Sequence, residues 1–332
     1  MELLSVKALK KYFPVKKRLT GEPLWLKAVD GIDFLIEKDK VFALVGESGC
    51  GKSLTALALM GILPPNAYAE GAINFKGTDL LKLDRESMRR LRGKELAMIF
   101  QEPMTSLNPV LTIGYQISEV MTTHLGMSKK EASDRAIELL RDVKIPSPEI
   151  RIKEYPHQMS GGMRQRVMIA MAIACNPALL IADEPTTALD VTIQAQILEL
   201  LQGLRQERKM LVLLITHDLG IISENARRVA IMYAGRIAEL TDVNELFSNP
   251  RHPYTMGLLD SLPKEKGKPL NPIPGTVPRP DRLPDGCKFA DRCRFVIPAC
   301  QEKEPDLRQL STEKEITHLA RCIRAEEIIW NY

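Results

Sequence analysis

The sequence predicts an α/β fold built around a parallel sheet, and three observations support this. Apolar runs at residues 41–45, 178–182 and 211–215 have the length and composition of buried strands. Residues 191–208, between the second run and the third, have the pattern of a helix, which is the alternation that parallel sheets require. The first run leads directly into a glycine-rich loop and a helical segment. That strand–loop–helix order is typical of phosphate-binding sites.

The glycine-rich loop reads Gly-Glu-Ser-Gly-Cys-Gly-Lys-Ser over residues 46–53 and is called the phosphate loop here. Its glycines let backbone N–H groups converge on phosphate oxygens, and the helix predicted over residues 54–60 adds its positive N-terminal end. Lys52 is expected to reach the β- and γ-phosphates, and the Ser53 hydroxyl is expected to ligate Mg²⁺. We therefore predict that the chain binds a nucleoside triphosphate. The expected contacts are Gly46, Ser48, Gly49, Cys50, Gly51, Lys52, Ser53 and Leu54.

Composition and charge narrow the class of protein. The chain has 332 residues and a formal net charge of +4, and 5% of its residues are aromatic. Its basic residues are scattered rather than gathered in one tract, so we expect no nucleic-acid partner. No apolar stretch has the length of a membrane span and no secretory leader is evident, which predicts a cytosolic protein that can dock on a membrane protein. In that compartment we do not expect the six cysteines to form disulfides.

The other elements follow in chain order. Residues 1–40 alternate apolar and polar positions, which predicts antiparallel strands, and residues 71–75 and 96–100 continue this strand-rich region. The pattern is helical from Asn108 to about Met159. One predicted helix there places Ala132, Ala136, Leu139, Leu140 and Val143 on one face. Another helix is expected after Gly162, with Val167, Ala170, Met171 and Ala174 inward.

The composition changes past Pro250. Residues 263–298 are rich in Pro, Gly and Lys and are predicted to be dominated by loops. We place a domain boundary near residue 240. This gives a nucleotide-binding domain at residues 1–240, with a helical subdomain at about 103–160, and a C-terminal extension at residues 241–332.

Polar residues follow the predicted strands at their carboxyl ends, where α/β sheets place their ligands. Asp183 is expected to hold Mg²⁺ through water, and Glu184 to polarise a water aimed at the γ-phosphate. Gln101 is expected to touch Mg²⁺ and the attacking water. His217 is expected to hydrogen-bond the γ-phosphate and orient Glu184. Each residue alone also fits a helix cap or a surface position, so the prediction depends on their joint occurrence in this order.

One family has the same motifs in the same order. The phosphate loop, Gln101, Ser160-Gly161-Gly162, Asp183-Glu184, Ala188-Leu189-Asp190 and His217 resemble the ATP-binding subunit of an ABC transporter, over residues 1 to about 240. The resemblance implies a RecA-like core with antiparallel β and α-helical subdomains. In that family the Ser-Gly-Gly element begins a helix that completes the ATP site of the opposite subunit. Ser160, Gly161 and Gly162 are therefore expected to contact ATP across a dimer.

The resemblance also assigns roles at the dimer interface and at the adenine. Asp190 is expected in the loop that crosses the interface and links the two ATP sites. Met163 stands where the family's signature has Gln, so only the anion-binding part of the signature is carried over. Phe13 is expected to stack on adenine, with Tyr12 as the alternative, although an aromatic residue in a strand is by itself more often a core residue. Hydrolysis is then expected to open a head-to-tail pair of chains that holds two ATP molecules.

The remaining cysteines suggest a metal site. Cys287, Cys293, Cys300 and Cys322 lie together in the extension, apart from Cys50 and Cys175. Thiolates bind soft metals and fix loops that packing alone does not. The spacing matches neither the compact paired zinc pattern nor the common ferredoxin pattern, so ligand chemistry leaves an Fe–S cluster, zinc and free thiols open.

Motifs in the extension make the resemblance more specific. His252-Pro253-Tyr254-Thr255, Ile273-Pro274-Gly275, Gly286-Cys287-Lys288-Phe289 and Arg292-Cys293 resemble the C-terminal extension of dipeptide/oligopeptide importer ATPases. The cysteine set there is similar to those proposed to hold a [4Fe–4S] cluster. The resemblance thus favours a structural or regulatory Fe–S cluster, with zinc as the alternative.

The function that the resemblance implies is ATP hydrolysis that powers peptide import from the cytoplasmic face of the membrane. The implied partners are two membrane permeases, an extracellular binding protein and a second ATPase subunit, often a related but different chain. A groove beside Gln101 and the helical segment 103–159 is expected to receive a coupling helix from each permease. The alternatives are a related nickel or glycoside importer, a soluble ABC protein in DNA repair or translation, and a redox sensor with an attached ATPase. Soluble ABC proteins usually have a second ATPase set, a long coiled coil or a basic arm, and the sequence shows none of these.

Overall fold

The computed structural model describes residues 2–15, 24–37, 41–64, 67–102, 106–187, 189–262, 272–310 and 317–330. The chain divides into two compact units. The terminal unit comprises Met1–Lys82 and Thr216–Tyr332, and the central unit comprises Leu83–Ile215. The phosphate loop and the cysteine-rich extension therefore share one unit. Gln101, the Ser-Gly-Gly signature and the acidic pair lie in the other.

Strands and helices alternate along the chain, which confirms the α/β class. The strands are β1 (Glu2–Val15), β2 (Leu24–Glu37), β3 (Val41–Val45), β4 (Tyr68–Phe75), β5 (Thr78–Asp79), β6 (Leu96–Ile99), β7 (Leu179–Asp183), β8 (Leu211–Thr216), β9 (Arg228–Tyr233), β10 (Arg236–Asp242), β11 (Arg308–Gln309) and β12 (Leu319–Ala320). The α-helices are α1 (Lys52–Leu59), α2 (Arg85–Leu91), α3 (Ile113–Leu125), α4 (Lys129–Asp142), α5 (Pro148–Arg151), α6 (Gly161–Ile173), α7 (Val191–Arg208), α8 (Leu219–Asn225), α9 (Val243–Ser248), α10 (Pro253–Asp260) and α11 (Ala299–Glu302).

Two sheets organise the terminal unit. The first is antiparallel, in the order β2-β1-β4-β5, as the alternation over residues 1–40 predicts. Its inward side chains, such as Val6, Ile32 and Phe34, are buried. In the second sheet the strand order within this unit is β11-β12-β10-β9-β3, and β3 and β9 are parallel. The extension supplies β12, which pairs antiparallel with β10.

Strands β6, β7 and β8 of the central unit are parallel neighbours in that order. Residues 96–99 form a strand, as expected, and the structure adds that β6 pairs in parallel with β7 rather than with the antiparallel strands of the first sheet. The apolar run in the sequence of β6 predicts that the strand is buried, but it does not predict which strand lies next to it or in which direction. None of the helices in the described ranges of the chain has both the length and the apolar character needed to cross a bilayer.

Helices α3, α4 and α6 pack together in the central unit. Helix α4 begins with a capping box, in which Ser128 and Glu131 bond each other's backbone N–H groups, and it buries the face that the sequence predicts. Helix α6 departs from the prediction, because Gln165, Met168 and Ile169 are buried as well and Met171 is only half-buried. The helix lies against α3, α4 and β6, so neighbours enclose it on more than one side.

A buried carboxylate joins the extension to β10. The Glu239 side chain is fully buried, and its Oε1 accepts the Arg251 N–H at 2.8 Å and lies 2.7 Å from His318 Nε2. Its Oε2 accepts the His252 N–H at 2.9 Å. One side chain thus satisfies polar groups from two separate segments of the extension, which a charge buried at this depth requires.

We expect Glu239→Ala to lower the free energy of unfolding by about 3 kcal/mol, because two backbone N–H groups and a histidine would remain buried without their hydrogen-bond acceptor. Urea denaturation followed by circular dichroism measures this change. Glu302→Ala, which truncates an exposed side chain of α11, is the matched control and should leave the midpoint of the denaturation curve unchanged. Equal stability of both variants would contradict this account of the extension.

Candidate nucleotide site

The phosphate loop closes around a buried lysine. Lys52 is the first residue of α1, and its Nζ donates to the carbonyl oxygens of Gly46 at 2.8 Å and of Glu47 at 3.1 Å. Gly51, the N-cap of α1, has no side chain that could cap the helix. The loop therefore combines the positive N-terminal end of α1 with the ammonium group of Lys52, which hydrogen bonds keep in position. Both features favour the binding of an anion.

Two glycines of the loop are required by space and backbone angle. A Cβ on Gly46 would lie 2.1 Å from the Met232 carbonyl oxygen on β9. Gly51 has φ +107°, and a Cβ there would lie 2.5 Å from the Ala28 carbonyl oxygen. Cys50 is fully buried within the loop, and burial raises the pKa of its thiol to about 11. The thiol is therefore neutral and inert at physiological pH.

Two side chains of the extension contact the phosphate loop, and the sequence analysis predicts neither contact. Tyr254 Oη accepts the Glu47 N–H at 3.0 Å. Arg292 pairs with the Glu47 carboxylate through both terminal nitrogens, at 2.7 and 3.1 Å. Both residues belong to motifs that suggest a family. Since 207 and 245 residues separate them from Glu47, no local pattern links them to the loop.

The central unit brings Gln101 and Glu184 together. Glu184 Oε2 accepts hydrogen bonds from Gln101 Nε2 at 3.0 Å and from Thr187 Oγ1 at 2.9 Å. Glu184 has φ +44°, and its N–H donates to the Ile215 carbonyl at 2.9 Å. A left-handed glutamate costs conformational energy, which is common at functional sites. Asp183, buried at the end of β7, precedes Glu184. The sequence analysis does not predict the contact of Glu184 with Thr187.

The predicted signature residues lie at helix N-termini of the same unit. Ser160 caps α6 by accepting the Met163 N–H at 3.3 Å, and Asp190 caps α7 by accepting the Ile193 N–H at 3.0 Å. A Cβ on Gly162 would lie 2.9 Å from Ile193 Cγ2, so glycine permits this close approach to α7. Gly161 is exposed, and Ala188 lies outside the described residues.

The remaining predicted contacts lie in the terminal unit. His217 is exposed and directly follows β8. Phe13 is half-buried on β1, with Lys11 Nζ 5.2 Å from its ring centroid. The Tyr12 hydroxyl donates to Asp30 Oδ1, and burial together with this bond raises the Tyr12 pKa. Phe13 and Tyr12 are the two candidates for stacking on adenine. The hydroxyl group of Tyr12 is already used in a hydrogen bond within the protein.

The four extension cysteines line one cavity, called the cysteine cavity here: Cys287, Cys293, Cys300 and Cys322. All are free thiols, and burial raises the pKa of Cys287 to about 11 and that of Cys322 to about 12. Backbone N–H groups donate to two of the sulfurs, Cys293 Sγ and Cys322 Sγ, each at 3.4 Å. Among the residues that the structure describes, no three His, Cys, Asp or Glu side chains are arranged to hold a metal ion.

Comparison with known proteins decides the family. Residues 29–187 match the family model for ABC transporters, and residues 238–300 match that for the oligopeptide/dipeptide transporter C-terminal region. The chain is 52% identical over 329 residues to the oligopeptide transport ATP-binding protein AppD of Bacillus subtilis, covering 98% of this chain and 97% of that protein. The chain belongs to the ABC transporter family.

Further relatives agree with this assignment. The ABC subunit is 49% identical over 321 residues to the dipeptide transport ATP-binding protein DppD of Haemophilus influenzae, covering 96% of each chain. A solved relative is the ATP-binding cassette MJ0796, described as a dimer in a post-hydrolysis state bound to ADP and Pi. It is 25% identical, with a TM-score of 0.64, and covers 73% of this chain and 99% of that one. The resemblance noted in the sequence is therefore confirmed.

We expect Gly46→Ala to cost about 2–3 kcal/mol of unfolding free energy and to weaken binding of a fluorescent ATP analogue, because the added methyl collides with the Met232 carbonyl. Thermal melting and fluorescence titration measure the two effects. Gly203→Ala, in open space on α7, is the control and should raise stability by about 1 kcal/mol. An unchanged affinity in Gly46→Ala would show that the loop does not need this close approach.

Proposed function

We propose that this ABC subunit hydrolyses ATP and thereby powers the import of dipeptides or oligopeptides through partner permeases. The observation that carries the ATPase part is the Gln101–Glu184 hydrogen bond at the end of a buried parallel strand, in a chain that also has a complete phosphate loop. The peptide part is supported by the names of AppD and DppD, which match this chain over nearly its whole length.

Different residues of the chain have different roles in hydrolysis. Lys52 and the loop amides hold the phosphates, and Ser53, Gln101 and Asp183 provide the oxygen donors that Mg²⁺ prefers. When bound, the metal neutralises charge on the phosphates. Glu184, oriented by Gln101 and Thr187, accepts a proton from the attacking water. His217 contacts the γ-phosphate, and Phe13 stacks on adenine, with Tyr12 as the alternative.

We further propose that two ATPase subunits act together. Ser160, Gly161 and Gly162 lie at the N-terminus of α6, an end that attracts anions, and serve the nucleotide of the opposite subunit. Asp190 lies in the connection between the two ATP sites. The dimeric description of MJ0796 supports a pair of ATPase subunits. The resemblance to peptide importers is the basis for proposing that the second subunit is a homologous but different chain. Closure around ATP and opening after hydrolysis convert chemistry into rigid-body motion.

The permeases are proposed to dock on the helical part of the central unit. Val110, Tyr115 and Ile150 of this part expose 75%, 53% and 64% of their surface and offer apolar contacts to a partner. Tyr115 also lines a surface groove with Met127 and Ile152. A coupling helix from each of two permeases fits this surface. The subunit then lies at the cytoplasmic face of the membrane, and an extracellular binding protein delivers the peptide.

The cysteine cavity is proposed to hold a [4Fe–4S] cluster, with zinc as the alternative. Its four free thiols surround one space, and two of the sulfurs accept backbone N–H bonds, which tune cluster ligands in other proteins. Four cysteines are the usual donor set of a [4Fe–4S] cluster, so the residue types support the proposal, whereas the described thiols are not arranged as a metal site. Cys287, Cys293, Cys300 and Cys322 would hold it, and its contribution would be to fix loops of an extension that has little regular structure.

Glu184→Gln should reduce steady-state ATP hydrolysis at least about 100-fold while ATP binding persists, because the amide does not accept the proton. Phosphate release in the assembled transporter measures hydrolysis, and light scattering of the subunit measures an ATP-dependent dimer. Glu199→Gln, on the exposed side of α7, is the control. Unchanged hydrolysis in Glu184→Gln would exclude Glu184 as the base, and a strictly monomeric subunit at full activity would exclude the dimer.

Anaerobically purified protein should contain about four iron atoms and four acid-labile sulfides per chain. Elemental analysis and the sulfide assay measure this directly, without reference to activity. Cys300→Ser should lower both values, whereas Cys175→Ser, which lies outside the cysteine cavity, should not. Stoichiometric zinc in place of iron would overturn the cluster assignment.

A further inference from the structure

The phosphate loop contains a negative charge where an anion is expected to bind. Glu47 follows Gly46 directly, and its carbonyl accepts a hydrogen bond from Lys52 Nζ at 3.1 Å. A free carboxylate on this residue would repel the phosphates of ATP across a short distance. Binding of ATP by this loop therefore requires a group that neutralises the Glu47 carboxylate or keeps it away from the phosphates.

Arg292 meets that need. Its guanidinium forms a two-pronged ion pair with the Glu47 carboxylate, at 2.7 and 3.1 Å. The Arg292 side chain is 5% exposed and that of Glu47 is 32% exposed, so solvent screens this pair less than a surface pair. The planar fork of arginine matches the carboxylate in a way that lysine does not.

The guanidinium is itself held in place from several directions. Arg292 Nε donates to the Pro274 carbonyl at 2.9 Å. The group lies 5.8 Å from the Tyr233 ring centroid and 5.9 Å from that of Phe289. Phe289 also packs on Tyr254, with ring centroids 5.4 Å apart. A pre-positioned cation of this kind fixes the carboxylate with little loss of its own freedom.

The backbone of the same loop residue is held by the extension as well. The Glu47 N–H donates to Tyr254 Oη, and Tyr254 is completely buried with its ring 4.6 Å from that of Tyr233. Both the main chain and the side chain of Glu47 are therefore constrained by residues more than 200 positions away. The conformation of the loop depends on the extension.

We propose that Arg292 is a positioning residue for nucleotide binding. By pairing with Glu47 it cancels the charge of that carboxylate and keeps it away from the phosphates, so the C-terminal extension sets the affinity of the phosphate loop for ATP. The proposal rests on ATP binding by this loop, which is part of the proposed function. It goes further by assigning control of that binding to a residue of the extension.

A double-mutant cycle on the full chain tests the proposal, with the dissociation constant for Mg-ATP as the measured quantity. Arg292→Gln exposes the phosphates to an unpaired carboxylate and should weaken binding about tenfold. Glu47→Gln removes that carboxylate and should bind at least as tightly as the wild type. In the Glu47→Gln background, Arg292→Gln should then change the dissociation constant less than twofold.

Arg294→Gln is the matched control, because Arg294 lies two positions away and forms an exposed pair with Asp260 at 3.1 Å. It should leave affinity unchanged. Arg292→Lys keeps the charge but loses the fork, so its affinity should lie between those of the wild type and Arg292→Gln. In ATPase assays Arg292→Gln should raise KM for ATP and leave kcat within about twofold, a split that general destabilisation would not produce.

Two results would overturn the proposal: wild-type affinity in a folded Arg292→Gln protein, or the same loss of affinity with and without Glu47. Melting curves without nucleotide identify any variant that fails to fold. In that case the double variant and Arg292→Lys supply the comparison, and equal affinity of Arg292→Lys and the wild type would count against the need for a fork. Absence of ATP binding by the wild type would instead refute the proposed function itself.

Discussion

The close fit of the phosphate loop against its surroundings is the constraint on which the rest of the site depends. The Met232 carbonyl occupies the space that a side chain on Gly46 would fill, and the Ala28 carbonyl does the same at Gly51. Lys52 is buried against the loop's own carbonyl groups. With strands, helix end and loop in direct contact, the backbone N–H groups have little freedom and are organised before any ligand arrives.

The extension is part of this organisation rather than an appended module. Its strand β12 continues the sheet that carries β3, and Glu239 ties two of its segments to β10. Tyr254 and Phe289 share one hydrophobic core with Val45, the last residue before the loop. The cysteine cavity borders the same core through Phe289. Two of its residues, Cys287 and Cys293, also pack against this core.

In the central unit, backbone conformation and hydrogen bonds together orient the side chain of Glu184. Glu184 adopts a left-handed backbone conformation whose cost is about 1–3 kcal/mol, and its N–H bond to Ile215 on β8 holds it there. Gln101 and Thr187 then converge on one carboxylate oxygen. Strain, a strand-end position and two hydrogen bonds together orient a single acidic group, which is what the proposed role of Glu184 as a general base requires.

The amino-acid sequence by itself determined the α/β class, the phosphate loop, the helix at residues 191–208 and the family, because burial, helix periodicity and glycine requirements are local properties. It also placed Gln101 and Glu184 correctly at strand ends, although it did not predict the hydrogen bond that Thr187 donates to Glu184. Only the tertiary structure decided that β6 pairs in parallel, that α6 is enclosed on several sides, and that Arg292 and Tyr254 hold Glu47. Those contacts join residues far apart in the chain, and local periodicity records that a residue is buried but not what it is buried against.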